Sequence, residues 1–305
     1  MKDTSATDPV ARIGLIGLGS MGVPVAARLI AAGHAVSGYD LEEGRLAAFE
    51  DVGGTPSGST ASIARSARVI LTLLPSEVAL SEVCEELVAA VRAADIDEPP
   101  DVVELSTLGL AAKSAARDRL AAADITMLDC ALSGTALQAA LGDVVVYASG
   151  DSQALERCRP VLQGIGRAVH EVGEFGSAAR TKLVSNLLIA VHIAAAAEAL
   201  LLARRCGLDP GETLAAVADG AGTSRMLEVR GPLMVAAEFE PPSMRLELFM
   251  KDIDLIEAMS HAVGAPTPLF DAAADIYRAS VARGRGGQDT AAVFAVLLEQ
   301  HRADS

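Results

Sequence analysis

Short apolar runs alternate with helical patterns in the first half of the chain. The strand-like runs lie at residues 12–17, 35–40, 68–74, 101–106, 125–130, 143–150 and 168–172. Helical patterns such as VPVAARLIAAG and SEVALSEVCEELVAAVRAA stand between several of them. This alternation predicts an α/β domain with a doubly wound, mostly parallel sheet. We expect the last two runs to extend the same sheet.

After about residue 175 the pattern becomes helical and no strand-like run follows. The helical stretches lie at 177–206, about 210–219, 244–264, 268–284 and 289–302. We therefore predict an α/β domain over 11–175 and an all-helical domain over 176–305, entered through a long helix at about 177–206. Residues 1–10 are polar and lack the apolar core of a signal peptide, which predicts a disordered tail.

The most apolar part of the long helix runs from 187 to 203 and is of marginal length for a membrane span. It is rich in alanine and is interrupted by His192 and Glu198, which favours a buried central helix. The formal net charge of the chain is −15, and an acidic surface repels phosphate backbones and anionic lipid. The sequence therefore predicts neither a nucleic-acid partner nor a membrane partner.

The cysteines and histidines give no sign of a metal site or a disulfide framework. The four cysteines lie far apart and none forms a CxxC pair, which is typical of reduced thiols in a cytoplasmic protein. The five histidines are scattered, with no HxxxH pair and no His–Cys cluster. We predict no metal.

The most specific stretch is IGLIGLGSMGVPVAARLIAAGHAVSGYD at 13–40. Its three glycines form a GxGxxG pattern between a predicted strand and a predicted helix. Such glycines allow a tight turn and let a pyrophosphate approach the helix N-terminus, whose free N–H groups favour anions. The residues predicted to bind the cofactor here are Gly17, Leu18, Gly19, Ser20, Met21 and Gly22.

Acidic residues follow the next strand of the same unit. Asp40 ends that strand, at the position where a carboxylate can bind both ribose hydroxyls of a dinucleotide. Glu42 and Glu43 add negative charge nearby and would repel a 2′-phosphate. The sequence therefore favours NAD over NADP.

Two later strand ends should lie at the same edge, because ligands of such sheets bind at the carboxyl ends of the strands. Leu74 and Pro75 follow one of these strands and are expected to press on the cofactor. Thr107 follows the next and is expected to hydrogen-bond toward the nicotinamide or the substrate. The alternative for Thr107 is a helix cap or a turn residue.

One lysine lies near the start of the long apolar helix. Lys182, Ser185 and Asn186 share one helical face and form a polar patch on an apolar rod. Buried polar groups are hydrogen-bonded or functional, so the lysine is either a general acid/base or a snorkelling side chain. Lys251 and Asp252 can be read as a solvated charge pair, and Asp289 as a helix N-cap.

Together these motifs resemble the β-hydroxyacid dehydrogenases, the family that contains 3-hydroxyisobutyrate dehydrogenase and tartronate semialdehyde reductase. The resemblance covers about residues 11–300 and rests on GLIGLGSMGVPVAARL, LLP, DCALSG, GSAARTKLVSN, FMKDIDL and GRGGQDTAAV. Within the family, AGTSRMLEVRGPLM and the following FMKD are most similar to the L-threonate dehydrogenases.

The resemblance implies a Rossmann domain and a helical C-terminal domain joined by a long interdomain helix. It also implies NAD(P)-dependent oxidation of a small hydroxy acid. On the matching motifs it places a catalytic lysine at Lys182, a cofactor-side lysine at Lys251 and the substrate carboxylate on the loop Ser133-Gly134-Thr135. From the shared helical face we expect Asn186 to assist by orienting the amine or the substrate, and Ser185 to be a further substrate-binding residue.

The sequence departs from the family pattern at three of these places. Thr135 replaces the second glycine of the substrate loop, Ala131 replaces a proline before it, and Ser185 replaces the asparagine often found after the lysine. These positions lie where substrate is expected, so they bear on the identity of the substrate more than on the type of reaction.

Two other functions are compatible with the same scaffold. One is an imine or other carbonyl-type reductase, although Lys182, Asn186 and Asp40 argue against it. The other is a non-catalytic dinucleotide-binding protein, which Thr135 and Ser185 keep open. Because the helical half is rich in alanine and leucine, we expect a homodimer or homotetramer through this domain.

Overall fold

The computed structural model describes residues 12–94 and 96–303, with side chains described as far as residue 299. The predicted tail over residues 1–10 lies outside the described residues. Contacts divide the chain into two compact units, the first ending at Lys182 and the second beginning at Leu183. The division falls inside a 29-residue helix, Ser177–Arg205.

The first unit is built on one eight-stranded sheet of order β3-β2-β1-β4-β5-β6-β7-β8. The strands are β1 Arg12–Ile16, β2 Ala35–Tyr39, β3 Thr55–Pro56, β4 Val69–Thr72, β5 Asp101–Glu104, β6 Met127–Ser133, β7 Val145–Ser149 and β8 Ala168–Glu171. All neighbouring pairs are parallel except β6 and β7. The predicted doubly wound, mostly parallel sheet is therefore confirmed, and the last two runs do extend it.

Helices cover both faces of this sheet. They are α1 Gly22–Ala31, α2 Glu43–Asp51, α3 Thr60–Ser66, α4 Glu77–Ala94, α5 Leu110–Ala121, α6 Ala136–Ala140 and α7 Ser152–Ile165. Successive strand residues point to opposite faces. Leu15 therefore packs in the core that contains α1 and α7, while Ile16 packs in the core that contains α4.

Helices continue to the end of the described chain. They are α8 Ser177–Arg205, α9 Pro210–Ala218, α10 Arg225–Ala236, α11 Leu246–Val263, α12 Pro268–Ser280 and α13 Val293–Ala303, with a π-helical turn at Val281–Arg285 and a 3-10 turn at Thr290–Ala292. The core of the second unit includes buried residues of α8, α11 and α12, and the rings of Phe249 and Tyr277 meet in it with centroids 5.5 Å apart.

Helix α8 is the one helix in the described residues that is long and apolar enough to cross a membrane by length and composition. Within its most apolar window 44% of the residues are buried. Ala190, Ile193, Ala197 and Leu200 lie in the core of the second unit. A core helix has this composition for the same reason as a membrane helix, because its surroundings are apolar.

The sequence missed two elements. The strand Thr55–Pro56 has only two residues, too few to show a period of two. Helix α10 contains Gly231 and Pro232, residues that disfavour a helix interior, and the stretch was not predicted as helical. The predicted helix over 268–284 also stops earlier, at Ser280, and Gly284 beyond it has a φ of +78°.

Candidate active site

Two of the three glycines in the turn between β1 and α1 lie where a side chain would collide with the backbone. Gly17 has a φ of +95°, and a Cβ there would lie 2.2 Å from the carbonyl oxygen of Leu73. A Cβ on Gly22 would lie 2.1 Å from the carbonyl oxygen of Gly17. At Gly19 the nearest atom to an added Cβ is Nη1 of Arg45, 3.8 Å away. Gly17 and Gly22 therefore build the turn, while Gly19 leaves space for a ligand beside the start of α1.

Asp40 is fixed beside this turn at the end of β2. The Leu18 N–H donates to its Oδ2 at 2.8 Å, and the Glu42 N–H donates to its Oδ1 at 2.9 Å. Arg45 lies 3.5 Å from Asp40 Oδ2 and 2.7 Å from a carboxylate oxygen of Glu42. Each oxygen of Asp40 keeps acceptor capacity that ribose hydroxyls can use. Arg45 is the residue here that the sequence analysis did not single out.

The next strand ends lie at the same edge of the sheet, since β1, β4 and β5 are parallel. After β4, the Leu73 N–H donates to the carbonyl of Ile16 at 2.9 Å. The Leu74 N–H donates to Oγ of Ser106, which follows β5, at 2.8 Å. Thr107 does not cap the following helix, because Gly109 is the N-cap residue of α5. The structure therefore brings the segments of Leu74, Pro75 and Thr107 to the edge that carries the glycine turn.

The loop after β6 has a defined conformation. Ser133 is the last residue of the strand. Gly134 has a φ of +147°, and a Cβ at this position would lie 2.7 Å from a side-chain carbon of Val144. Thr135 forms a capping box with Gln138 at the start of α6. Its N–H donates to Gln138 Oε1 at 3.0 Å, so this group is already engaged within the protein. Thr135 thus fixes the loop, and this role was not foreseen from the sequence.

Two of the three residues in the polar patch on α8 are buried. Lys182 is 8% exposed and Asn186 is 2% exposed, while Ser185 is half-buried. Lys182 is thus mostly buried, close to the start of the helix. Nδ2 of Asn186 donates to Oδ2 of Asp252 at 2.8 Å, and its Oδ1 is buried with no hydrogen-bond partner. Asn186 is therefore held in one orientation, with one acceptor available in the described structure.

The pair Lys251–Asp252 is not the solvated pair that the spacing suggested. Nζ of Lys251 lies 3.6 Å from Oδ1 of Asp252, and the two side chains are 46% and 14% exposed. Asp252 is thus mostly buried and orients Asn186 across 66 residues of sequence. No local pattern signals this contact.

Two further predictions concern groups outside this patch. Asp289 caps the 3-10 turn before α13 and is buried, as its position suggested. Within the part of the chain that the structure describes, no group of three or more His, Cys, Asp or Glu side chains is arranged to hold a metal ion.

The glycine turn after β1 and the fixed carboxylate of Asp40 at the end of β2 are the features of a dinucleotide-binding domain. Family models agree with this class over most of the chain. Residues 12–173 match the NAD-binding domain of 6-phosphogluconate dehydrogenase. Residues 176–297 match the NAD-binding domain of NADP-dependent 3-hydroxyisobutyrate dehydrogenase.

Relatives that match over most of their length include dehydrogenases of hydroxy acids. The L-threonate dehydrogenase of Cupriavidus necator is 35% identical over 93% of this chain and 95% of its own length. The 3-hydroxyisobutyrate dehydrogenase of Pseudomonas aeruginosa is 28% identical over 87% of this chain and 90% of its own. The chain therefore belongs to the β-hydroxyacid dehydrogenase family, and it is an NAD(P)-dependent dehydrogenase that acts on the CH–OH group of a hydroxy acid.

Solved structures agree. The Mycobacterium tuberculosis 3-hydroxyisobutyrate dehydrogenase with L-serine superimposes with a TM-score of 0.84 at 27% identity, covering 94% of this chain and 99% of that one. A Streptomyces aurantiacus imine reductase has a TM-score of 0.63 at 20% identity over 94% of this chain and 99% of that one. That likeness shows the fold alone and does not favour imine reduction.

Proposed function

We propose that the protein oxidises a small polyhydroxy acid of the L-threonate class to its oxo acid, with NAD as cofactor and Lys182 as general acid/base. The observation that carries the proposal is the burial of Lys182, 8% exposed, one helical turn before the buried Asn186 on α8. Relatives named L-threonate dehydrogenase, at 31–35% identity, support the substrate class.

The first unit would hold the dinucleotide. The open position at Gly19 fits a pyrophosphate at the start of α1, and Asp40 fits the ribose hydroxyls. Bound NAD supplies the hydride acceptor of the reaction. We assign cofactor contacts to Gly17, Leu18, Gly19, Ser20, Met21, Gly22, Asp40, Leu74, Pro75, Thr107 and Lys251.

The preference for NAD rests on charge around Asp40. A 2′-phosphate would meet the Asp40 carboxylate, with Glu42 and Glu43 close in sequence. Arg45, the nearby cation, is already paired with both Asp40 and Glu42. Its charge is therefore largely balanced before any cofactor binds.

Lys182 would move the proton. In oxidation its neutral amine takes the hydroxyl proton of the substrate, and in reduction its ammonium returns a proton to the forming alkoxide. Asn186 lies one helical turn further along α8, fixed by Asp252. Its unpaired Oδ1 can accept a hydrogen bond from the substrate hydroxyl or from the lysine.

The loop after β6 would hold the carboxylate. The Ser133 hydroxyl and the Gly134 N–H are the donors we assign, with Ser185 as a further contact. Since the N–H of Thr135 is used in its capping box, Thr135 would act by fixing the loop.

We further propose a cytoplasmic homodimer or homotetramer. Val184, Leu188 and Leu202 are 54%, 48% and 65% exposed and lie along one face of α8. A second copy of the chain would cover these side chains. Reduced, mostly buried cysteines fit a cytoplasmic location.

The test is a substrate panel with the purified protein. Initial rates are measured at 340 nm with L-threonate, glycerate, 3-hydroxyisobutyrate, 3-hydroxypropionate and serine, each with NAD and with NADP. We expect the highest kcat/KM for L-threonate with NAD. Higher kcat/KM with NADP would contradict the cofactor assignment. Tight NAD binding by calorimetry without turnover of any compound would favour the non-catalytic alternative.

A further inference from the structure

Three charged side chains that are not among the residues assigned above are enclosed in the sheet unit. Lys113 on α5 lies 2.5 Å from Oε2 of Glu104 on β5 and 2.8 Å from Oδ1 of Asp129 on β6. All three side chains are fully buried. Buried charges are costly, and an apolar core of similar volume is often as stable. Their presence therefore calls for a reason beyond packing.

Lys113 keeps its charge in this position. Burial alone would lower its pKa, but the carboxylates of Glu104 and Asp129 outweigh burial and raise the pKa of Lys113 above its ordinary value. The ammonium therefore stays protonated at neutral pH and holds one oxygen of Asp129 in place.

The second oxygen of Asp129 binds the start of α8. The Ala179 N–H donates to Asp129 Oδ2 at 2.8 Å, and the Ala178 N–H donates to Oγ of Ser149 at 3.0 Å. The Ser149 hydroxyl lies 3.0 Å from the carbonyl oxygen of Asp129 and 3.3 Å from its Oδ2. Gly176, which precedes the helix, has no side chain with which to cap it. Asp129 and Ser149 thus supply from the sheet what an N-cap residue usually supplies locally.

This cap lies close to the proposed chemistry along the chain. Lys182 follows Ala179 by three residues on α8, and Ser133 follows Asp129 by four residues on β6. Hydrogen bonds also connect Glu104 to the strand ends that we assign to the cofactor. Oε1 of Glu104 accepts the Ser106 N–H at 2.9 Å, and Ser106 in turn accepts the Leu74 N–H.

We propose that Asp129 is a positioning residue of the reaction. It caps α8 from the sheet, with Lys113 as its counter-ion, and so fixes the starting turn that carries Lys182 relative to the strand ends that hold cofactor and substrate. Every group in this network belongs to the first unit. The inference rests on the proposed role of Lys182.

The test compares Asp129→Asn and Ser149→Ala with a matched control, Asp101→Asn. Asp101 is also a buried carboxylate of this sheet, but its two 2.8 Å hydrogen bonds come from Arg157 and it is not part of the α8 cap. Turnover is expressed per NAD-binding site counted by calorimetry, because a merely structural role would lower the number of sites instead.

We expect kcat per site to fall about 10- to 100-fold in Asp129→Asn and about 3- to 10-fold in Ser149→Ala, since misplacement by about 1 Å can cost 100-fold. The Kd of NAD should stay within about twofold, and Asp101→Asn should keep kcat within about twofold. Amide hydrogen exchange in residues 177–182 should quicken in the first two variants and not in the control.

Two results would overturn the inference. One is unchanged kcat per site in Asp129→Asn while Lys182→Ala is inactive. The other is unchanged exchange at the start of α8. If Asp129→Asn does not fold, Ser149→Ala decides by the same two measurements. An active Lys182→Ala variant would instead refute the proposed function, and the exchange data would still report on the cap.

Discussion

Replacing Gly19 by alanine should weaken NAD binding without destabilising the fold, while replacing Gly22 by alanine should lower the stability of the fold itself. The added Cβ at Gly19 would have 3.8 Å to its nearest neighbour, ordinary contact distance, so the folded chain can accept it. At Gly22 the Cβ would lie 2.1 Å from a backbone oxygen, which cannot yield as a flexible side chain does.

The magnitudes follow from these distances. The methyl group on residue 19 would occupy the space that we propose for the pyrophosphate, so we expect NAD affinity to fall about 10- to 100-fold, or roughly 1.4–2.7 kcal/mol. Overpacking at residue 22 should cost about 1–3 kcal/mol of unfolding free energy. For a domain of this size that lowers Tm by roughly 2–12 °C.

The assay measures both properties on both variants. Calorimetric titration gives the Kd of NAD, and thermal unfolding of the cofactor-free proteins gives Tm. NAD binding by Gly19→Ala as tight as that of the wild type would contradict a cofactor site at Gly19. Unfolding of Gly22→Ala at the wild-type temperature would contradict the close packing at Gly22.

Three other predictions follow from single groups. Asp40→Asn should lower the ratio of kcat/KM for NAD over NADP at least about tenfold, because the carboxylate that repels a 2′-phosphate is lost; an unchanged ratio in initial-rate assays would argue against Asp40 as the determinant. Burial raises the pKa of Cys84 and of Cys158 to about 12. At pH 8 a thiol reagent should therefore label the exposed Cys206 rapidly, and all four cysteines only after denaturation. Rapid labelling of a second thiol in the native protein would contradict the burial of the other three. Asp289→Ala should lower the free energy of unfolding by about 3–5 kcal/mol, because it leaves the buried guanidinium of Arg230 without its carboxylate and removes the cap of the 3-10 turn. An unshifted Tm would show that the pair of Asp289 and Arg230 contributes little.

The sheet was predictable because its signal is local. Each of the seven apolar runs overlaps a strand, and six of them contain the whole strand, whereas β6 continues three residues past its run to Ser133. The alternation of these runs with helices is enough to predict parallel pairing. The strand Thr55–Pro56 was not predicted, because two residues are too few to show an alternating pattern. Helix α10 was not predicted, because tertiary packing overrides the weak helix propensities of Gly231 and Pro232.

In the candidate site, too, the features with a local sequence signal were predictable and the long-range contacts were not. The glycine turn and the face shared by Lys182 and Asn186 depend on spacings of a few residues, which the sequence displays directly. The contact of Asn186 with Asp252 joins residues 66 apart, and that of Ala179 with Asp129 joins residues 50 apart. No periodicity connects such pairs, so their roles become visible only when the chain is folded. The same holds for the capping box that occupies the N–H of Thr135.

The role of Lys182 is tested by the rate of NADH formation from L-threonate by Lys182→Ala and Lys182→Arg at saturating NAD. Arginine keeps the positive charge but does not give up a proton near neutral pH, so it cannot act as the base. The control is Arg180→Ala, which removes an exposed cation two residues earlier on α8. We expect kcat to fall at least about 100-fold in both lysine variants, with NAD binding retained and the control unaffected. Wild-type turnover in either lysine variant would contradict a general acid/base role for Lys182.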